Sequence, residues 1–359
     1  MNPSLGTGIL LAVEGALFVL PILPAFEELR LKRDAAPLNV VQKYSGDVRH
    51  FAFGFRDYIR ELMEPLDKCV ETGSTLAGRR KNGEEYVLLG RGAEESFVDV
   101  TGVNDSNCNV VICSGTDLRL PDSINFRKEI YSAGSLLGGE ENTYRAILGE
   151  RDVHLRRKSQ VMRWAHAARQ FRADHECNVY GRVSSGQEIF LQSRCTFQRL
   201  NAPRIAMGCG CEAEEHAEVP ATSAHGADGA GSGRKLIDGD VEIRPGEVVA
   251  QDLIARGNLR IGARARMLGS VKSNQDLIIE DGVFVGGSVI STRMLQIGRK
   301  CQIHGPVLAE HRIAIGSGTF CGGPDSATTV SSPVIDVEEG ALFFGTVWAR
   351  EEGRVLPKE

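Results

Sequence analysis

Apolar positions in the second half of the chain recur every 18 residues between residues 258 and 323. Three columns of this repeat are apolar and a fourth is glycine: Leu259, Leu277, Leu295 and Ile313; Ile261, Ile279, Ile297 and Ile315; Met267, Val285, Ile303 and Cys321; Gly269, Gly287, Gly305 and Gly323. The apolar alternations within one unit are too short for helices. The pattern predicts an all-β solenoid in which each unit forms one turn.

The same pattern reaches beyond this block in both directions. It fits residues 240–257, resumes near Ile335, and appears upstream in turns that start at Asp152, Gln170 and Glu188. Residues 208–235 hold few large apolar side chains, which predicts a flexible insertion. The predicted organisation is a membrane anchor with a basic flank (1–35), an irregular α/β region of unknown fold (36–125), amino-terminal rungs and a cap (126–207), the insertion (208–235), a β-helix core (236–351) and a tail (352–359).

The end of the predicted coil is a candidate interaction surface. Terminal rungs of a stacked coil leave unpaired backbone groups, which must be capped or must pair with another chain. The last turn carries the four residues predicted for self-association: Phe343, Phe344, Val347 and Trp348. The alternative is that these side chains plug the last turn within the chain. Substituting Phe343 by arginine distinguishes the two.

The amino-terminal segment from Gly6 to Pro24 is apolar, with Glu14 as its single charge. Its length predicts one membrane-spanning helix, and basic residues that follow at Arg30 and Lys32 place the bulk of the chain in the cytoplasm. The predicted anchor residues are Leu10, Leu11, Leu17, Phe18 and Leu20. A buried amphipathic helix and a cleaved signal peptide are the alternatives.

Helical spacing of apolar residues follows in the segment from Asp47 to Glu64. Phe51, Phe55 and Ile59, with Leu62, fall on one face. We expect a short amphipathic helix that packs on the solenoid or on a partner helix.

Charge and cysteine content exclude several classes of protein. The net charge is −5 and no basic patch is interleaved with aromatic residues, so nucleic acid is not an expected partner. The nine cysteines are an odd number and do not suggest a disulfide framework. Four of them fall at inward repeat positions and are predicted to act as small apolar residues: Cys177, Cys195, Cys301 and Cys321.

Candidate chemistry is sparse, and neither a catalytic residue nor a cofactor is predicted. A hexapeptide-repeat acyltransferase shares the 18-residue turn but needs a histidine base. His304 and His311 are the histidines of the regular block, and both fall at turn or outward positions. The pair Cys209 and Cys211, with His216 nearby, could bind a metal or respond to oxidation.

Residues 236–348 resemble the bactofilins, polymer-forming cytoskeletal proteins of bacteria. The resemblance is carried by Ile237–Val241 (IDGDV), Gly282–Val289 (GVFVGGSV) and Val337–Gly345 (VEEGALFFG). It implies a right-handed parallel β-helix that assembles end to end without nucleotide and organises cell-envelope or polysaccharide machinery at the inner membrane. The long amino-terminal half departs from the family pattern and could block one polymer interface, which would limit assembly to a dimer.

The sequence therefore predicts a scaffold anchored in the bacterial inner membrane that associates with itself and localises partner proteins. Two alternatives stay open. One is a hexapeptide-type acyltransferase of envelope polysaccharides, and the other is an adaptor of a membrane glycosyltransferase that does not polymerise.

Overall fold

The computed structural model describes residue 14 and residues 49–91, 97–208 and 233–358. Residues 97–358 of this part form a parallel β-solenoid, and the whole solenoid has about 13 turns of about 18 residues, which confirms the predicted coil. The helical elements are α1 (His50–Tyr58), a 3₁₀ turn (Arg60–Leu62), α2 (Met63–Thr72) and α3 (Phe97–Thr101). No helix within these described residues is long and apolar enough to span a membrane. The predicted anchor lies outside them, apart from Glu14.

The first part of the solenoid, coil 1, runs from residue 107 to residue 207. A hairpin of β1 (Thr75–Arg79) and β2 (Glu85–Leu89) precedes it, and β2 joins its sheet beside β4. The strands of coil 1 are β3 (Asn107–Cys108), β4 (Val111–Ser114), β5 (Leu118–Arg119), β6 (Asn125–Ser132), β7 (Leu136–Leu137), β8 (Thr143–Gly149), β9 (Val153–Leu155), β10 (Gln160–Ala167), β11 (Gln170–Ala173), β12 (Asn178–Ser185), β13 (Glu188–Leu191) and β14 (Thr196–Met207).

The second part, coil 2, runs from residue 234 to residue 356. Its strands are β15 (Arg234–Ile237), β16 (Val241–Ile243), β17 (Val248–Val249), β18 (Asp252–Ala255), β19 (Leu259–Ile261), β20 (Arg266–Met267), β21 (Val271–Ser273), β22 (Leu277–Ile279), β23 (Phe284–Val285), β24 (Val289–Ser291), β25 (Met294–Ile297), β26 (Gln302–Ile303), β27 (Val307–Ala309), β28 (Arg312–Ile315), β29 (Phe320–Cys321), β30 (Thr328–Glu338) and β31 (Leu342–Leu356).

The strands stack into three flat faces that both coils share. Face A contains β3, the first residues of β6, β8, β10, β12 and β14, the last residues of β31 and β30, and then β28, β25, β22, β19 and β16. Face B contains β2, β4, the later parts of β6, β8, β10 and β12, the middle parts of β14 and β31, the first part of β30, and then β27, β24, β21, β18 and β15. Face C contains β5, β7, β9, β11, β13, the end of β14, the start of β31, and then β29, β26, β23, β20 and β17.

The two coils meet at their last turns. Within each coil the stacked strands are parallel, but β14 pairs antiparallel with β31 on all three faces. The chain therefore builds coil 1 toward this junction and, after residues 209–232, builds coil 2 toward the same junction from the opposite end.

A single apolar core passes through the junction. Leu200 in β14 lies opposite Val347 in β31, and both are fully buried. On face B the inward column of coil 1 consists of Ile112, Ile130, Ile147, Ala165, Val183 and Leu200, and that of coil 2 of Val347, Val330, Val307, Val289, Val271 and Leu253. Burial of such columns is the main favourable term of folding in a coil of this kind.

Polar corners and glycines join residues that lie 18 positions apart in neighbouring turns. The Oδ1 atom of Asp252 accepts a hydrogen bond from the backbone N–H of Ser270, 18 residues further on, at 2.7 Å. Asp281 and Arg299 repeat the arrangement at 2.7 Å. A Cβ atom at Gly305 would lie 2.5 Å from the backbone of Gly287 in the preceding turn. The glycine column therefore marks a corner where stacked turns touch.

The helices form a layer on the outer side of face B in coil 1. Ile59, Leu62 and Leu66 are buried there against outward side chains of the sheet, including Leu148 and Trp164. The predicted amphipathic helix is confirmed, with bounds His50–Tyr58 and a 3₁₀ turn to Leu62. The face B sheet of coil 1 is therefore apolar on both sides, because one side faces the core and the other faces the helices.

Candidate functional site

The four residues predicted for self-association lie at the junction of the two coils. Phe343 faces Ile205 of β14, Val347 faces Leu200, and Trp348 lies beside Arg199. Phe343, Phe344 and Val347 are buried within the chain, and Trp348 keeps 40% of its surface exposed. The edge that the sequence offered for pairing with a second copy is therefore not free, because the chain's own β14 occupies it.

Hydrogen bonds close the junction at its corners as well as along its strands. The backbone N–H of Gly340 donates to the carbonyl of Met207 at 2.7 Å, and the N–H of Arg194 donates to the carbonyl of Val355 at 2.8 Å. The side-chain amide of Asn201 donates to the hydroxyl of Thr346 at 2.9 Å. The two coils are joined as continuously as two neighbouring turns of one coil.

One glycine makes the close approach of the two coils possible on face A. Gly353 lies opposite Phe197, and a Cβ atom at position 353 would come within 2.3 Å of the phenyl ring. Since Phe197 is itself buried in the core, it has little room to move away. Gly353 therefore fits the two coils together, along with the aromatic residues of the sequence prediction.

The opposite end of coil 1 is covered on face B and over its core, while β3 and β5 each pair on one side only within the described residues. The hairpin of β1 and β2 extends face B, and Phe97 of α3 is 3% exposed and packs on Phe126 with ring centroids 6.3 Å apart. Phe97 belongs to the same apolar cluster as the interior of the coil. The first turn of coil 1 thus ends against non-repeating elements.

The first turn of coil 2 has no such cap among residues 49–91, 97–208 and 233–358. Strands β15, β16 and β17 each pair on one side only, with β18, β19 and β20. Val248 is 59% exposed, while Val241 and Val249 are partly buried against the core. Within the described residues, no strand pairs with the outer side of these three short strands, and the end of the apolar core lies at this edge.

A basic residue lies in the inward column at this same edge. Lys235 of β15 occupies the position held by Leu253 and Val271 in the next two turns, and it is exposed. An inward charge on a terminal strand is a common way of weakening edge-to-edge pairing. The face B side of the edge is therefore less suited to pairing than the sides formed by β16 and β17.

The cysteine thiols within the described residues are buried and unpaired with one another as disulfides. Cys321 is fully buried, and desolvation raises its pKa to about 12. Cys177 donates to the carbonyl of Arg156 at 3.1 Å, and Cys195 donates to that of Asp174 at 3.0 Å. These thiols pack as small apolar groups, as the repeat predicts. Cys209, Cys211 and His216 lie outside the described residues.

The two histidines considered as catalytic bases lie outside the strands of coil 2. His304 packs against Phe284 with ring centroids 5.3 Å apart, and His311 is exposed. In the part of the chain that the structure describes, no group of three or more His, Cys, Asp or Glu side chains is arranged to hold a metal ion.

A cleft of about 380 Å³ lies between α1 and the outer side of face B. Its charged side chains pair with one another: Lys128 contacts Glu84 at 2.7 Å and Arg145 contacts Glu129 at 2.8 Å. Tyr58 donates a hydrogen bond to Glu84, and burial raises the pKa of Tyr58. The sequence did not single out this cleft. Tyr58 links α1 to the β1–β2 hairpin, and Arg56 of α1 pairs with Glu150, just after β8, at 2.7 Å.

Comparison with protein-family models, with curated proteins and with solved structures found no match.

Proposed function

We propose that the protein is a structural scaffold that associates with a second copy through the first turn of coil 2. The observation that carries this proposal is the edge formed by β15, β16 and β17, each of which pairs on one side only. The predicted role in self-association is kept, and its location moves from residues 343–348 to residues 234–249.

The junction shows how two coil ends of this kind can fit together. Strand β14 accepts β31 in antiparallel orientation while the apolar core stays continuous. Two copies related by a twofold axis would bring their β16 and β17 strands together in the same antiparallel orientation. We expect such assembly to stop at a dimer, because the last turns are joined to each other and the β1–β2 hairpin and Phe97 cover face B and the core at the first turn of coil 1. Lys235 would keep the pairing weak.

The cellular part of the proposal rests on the sequence. The resemblance of residues 236–348 to bactofilins supports a scaffold for envelope or polysaccharide machinery, and the apolar stretch from Gly6 to Pro24 supports an inner-membrane anchor. Vesicle flotation tests the anchor: Leu11→Arg with Leu17→Arg should release the full chain into the soluble fraction. Flotation of this double variant at the level of the original chain would refute the anchor.

Sedimentation velocity of the full chain in mild detergent tests the self-association. We expect a dimer that forms with increasing concentration and is lost in the double variant Val241→Asp, Val249→Asp. Leu308→Asp, on a side face, is the matched control and should keep the dimer. A monomer at all concentrations, or a dimer that survives the double variant, would overturn the proposal. Circular dichroism confirms that each variant keeps its β structure.

A further inference from the structure

The outer side of face B carries an apolar stripe along coil 2. One outward residue of each turn contributes to it, in the order Leu236, Ile254, Lys272, Ile290, Leu308, Ser331 and Trp348. Leu236 is 54% exposed, Leu308 38% and Trp348 40%. With about 4.8 Å between neighbouring strands, the stripe is about 29 Å long.

The same outward column is covered by helices in coil 1. It continues from Trp348 through Arg199 and Arg182 to Trp164 and Ala146. Trp164 is 7% exposed and packs against Phe55 of α1, with ring centroids 5.7 Å apart. One half of this face therefore already binds a helix layer within the chain, and the other half presents one column of mostly apolar outward residues.

Helix geometry suits this surface. Side chains of a helix at i, i+3 or i+4, and i+7 recur about every 5.4 Å, close to the distance between successive strands. A helix that follows the stripe from Leu236 to Trp348 needs about 19 residues at 1.5 Å each. Amphipathic helices commonly dock into apolar grooves through this spacing.

The one charged residue of the stripe, Lys272, is basic. Beyond Trp348 the same column continues with Arg199 and Arg182, which stack on Trp348 at 5.0 Å and on Phe51 at 4.9 Å. The column from Arg182 to Leu236 contains no acidic residue. Acidic side chains on an incoming helix would therefore be attracted, and basic ones repelled.

We propose that face B of coil 2 binds an amphipathic helix of a partner protein, with its apolar residues on the stripe and acidic residues near Lys272. The inference deepens the scaffold function proposed above, because it names the class of partner. It uses a side face and not the end edge, so the two proposals can fail separately.

Trp348 provides a direct reporter for this site. The chain has two tryptophans, and Trp164 is buried under α1. The probes are two synthetic helical peptides of about 20 residues with a leucine stripe, one carrying glutamate and the other lysine at the flanking positions. The glutamate peptide should shift the emission of Trp348 to shorter wavelength in a saturable way and bind at least tenfold more tightly than the lysine peptide. Trp348→Phe should abolish the signal.

A pair of matched variants locates the binding surface. Leu308→Asp lies in the stripe, and Leu268→Asp lies on face C, where Leu268 is 46% exposed. We expect Leu308→Asp to weaken binding of the glutamate peptide at least tenfold and Leu268→Asp to leave it unchanged. Equal effects of the two variants, or no saturable shift with either peptide, would overturn the proposal.

Acrylamide quenching of the full chain alone settles whether the stripe is available. Trp348 should be quenched readily before the peptide is added and protected afterwards. If Trp348 is already protected, the stripe is covered within the chain or by a second copy, and a partner helix is not its occupant. The double variant Val241→Asp, Val249→Asp should still bind the glutamate peptide, because it alters the end edge alone.

Discussion

Coil 1 and coil 2 share a turn of about 18 residues but differ in their first turns, in what packs on face B and in the side chains of their cores. Coil 1 has a hairpin and α3 at its first turn, helices on face B, and large aromatic residues in its core, among them Phe126, Tyr144 and Phe171. The interior of coil 2 is mostly aliphatic, and its first turn is uncapped within the described residues. Where other elements pack on the outside, the outward positions become apolar as well.

This difference explains the uneven regularity of the sequence. In β8 the consecutive residues Ala146, Ile147 and Leu148 are all buried, because the core lies on one side and the helix layer on the other. Bulges add a residue in β10 and β12, which changes the spacing between turns. A strict 18-residue pattern survives best where a coil is packed on its inner side alone.

The largest expected effect concerns the junction that both coils share. Phe343→Arg places a charge in a site that is 1% exposed and faces Ile205. We expect a loss of more than about 4 kcal/mol in the free energy of unfolding, measured by denaturant titration. Trp348→Ala, at an exposed position of the same strand, should cost less than about 1 kcal/mol. A stable, folded Phe343→Arg monomer would show that the junction does not hold the coils together.

The second-largest expected difference between the coils concerns the helix layer, which packs on face B of coil 1. Ile59 is fully buried between the helices and the sheet, so Ile59→Ala should cost about 2 to 5 kcal/mol. Hydrogen exchange should become faster in β4, β6 and β8 and stay unchanged in β21 and β24. Phe53→Ala is the control, because Phe53 is 42% exposed. Equal loss of protection in both coils would mean that they unfold as one unit.

Alkaline pH should affect a buried thiol in each coil in the same way. Desolvation raises the pKa of Cys113 in coil 1 and of Cys321 in coil 2 from 9.0 to about 12. The folded state keeps each thiol neutral, so its stabilisation is complete below pH 9 and is lost as the pH rises toward 12. Each group contributes a slope of about 1.4 kcal/mol per pH unit in that range.

Denaturant midpoints measured from pH 8 to pH 12 test this expectation. Cys321→Ala and Cys113→Ala should each flatten the alkaline decline relative to the original chain, after correction for the smaller side chain at pH 8. A decline that neither substitution changes would assign the alkaline sensitivity to other groups.

The smallest expected difference in stability between the coils concerns the outward-facing column of residues on face A. In coil 1 the hydroxyl of Thr196 donates to the side chain of Asn178 at 2.9 Å, so Asn178→Ala should cost about 1 kcal/mol. Gln296 occupies an exposed position of the same column in coil 2, and Gln296→Ala should cost less than about 0.5 kcal/mol. Thermal unfolding of both variants measures the difference. Equal shifts would show that this polar column does not stabilise coil 1 in particular.

Much of the fold could be predicted from local pattern. The columns that begin with Leu259 and Ile261 are buried as expected, and so are Phe171 and Ile189 upstream. Residues 107–125 escaped prediction, although they form the first turn of coil 1. Val111 and Cys113 pack under the helices and leave no alternation of apolar and polar residues to detect.

The sequence by itself determined the turn: its 18-residue length, its inward columns and its glycine corners, because these depend on contacts between neighbouring units. The tertiary structure decided which edges stay free. Leu200 pairs with Val347, a residue far away in the chain. This antiparallel pairing does not follow the 18-residue repeat, so the repeat in the sequence does not reveal it. Within the described residues, the unpaired edge of coil 2 is therefore at its first turn and not at its last, where the aromatic residues lie.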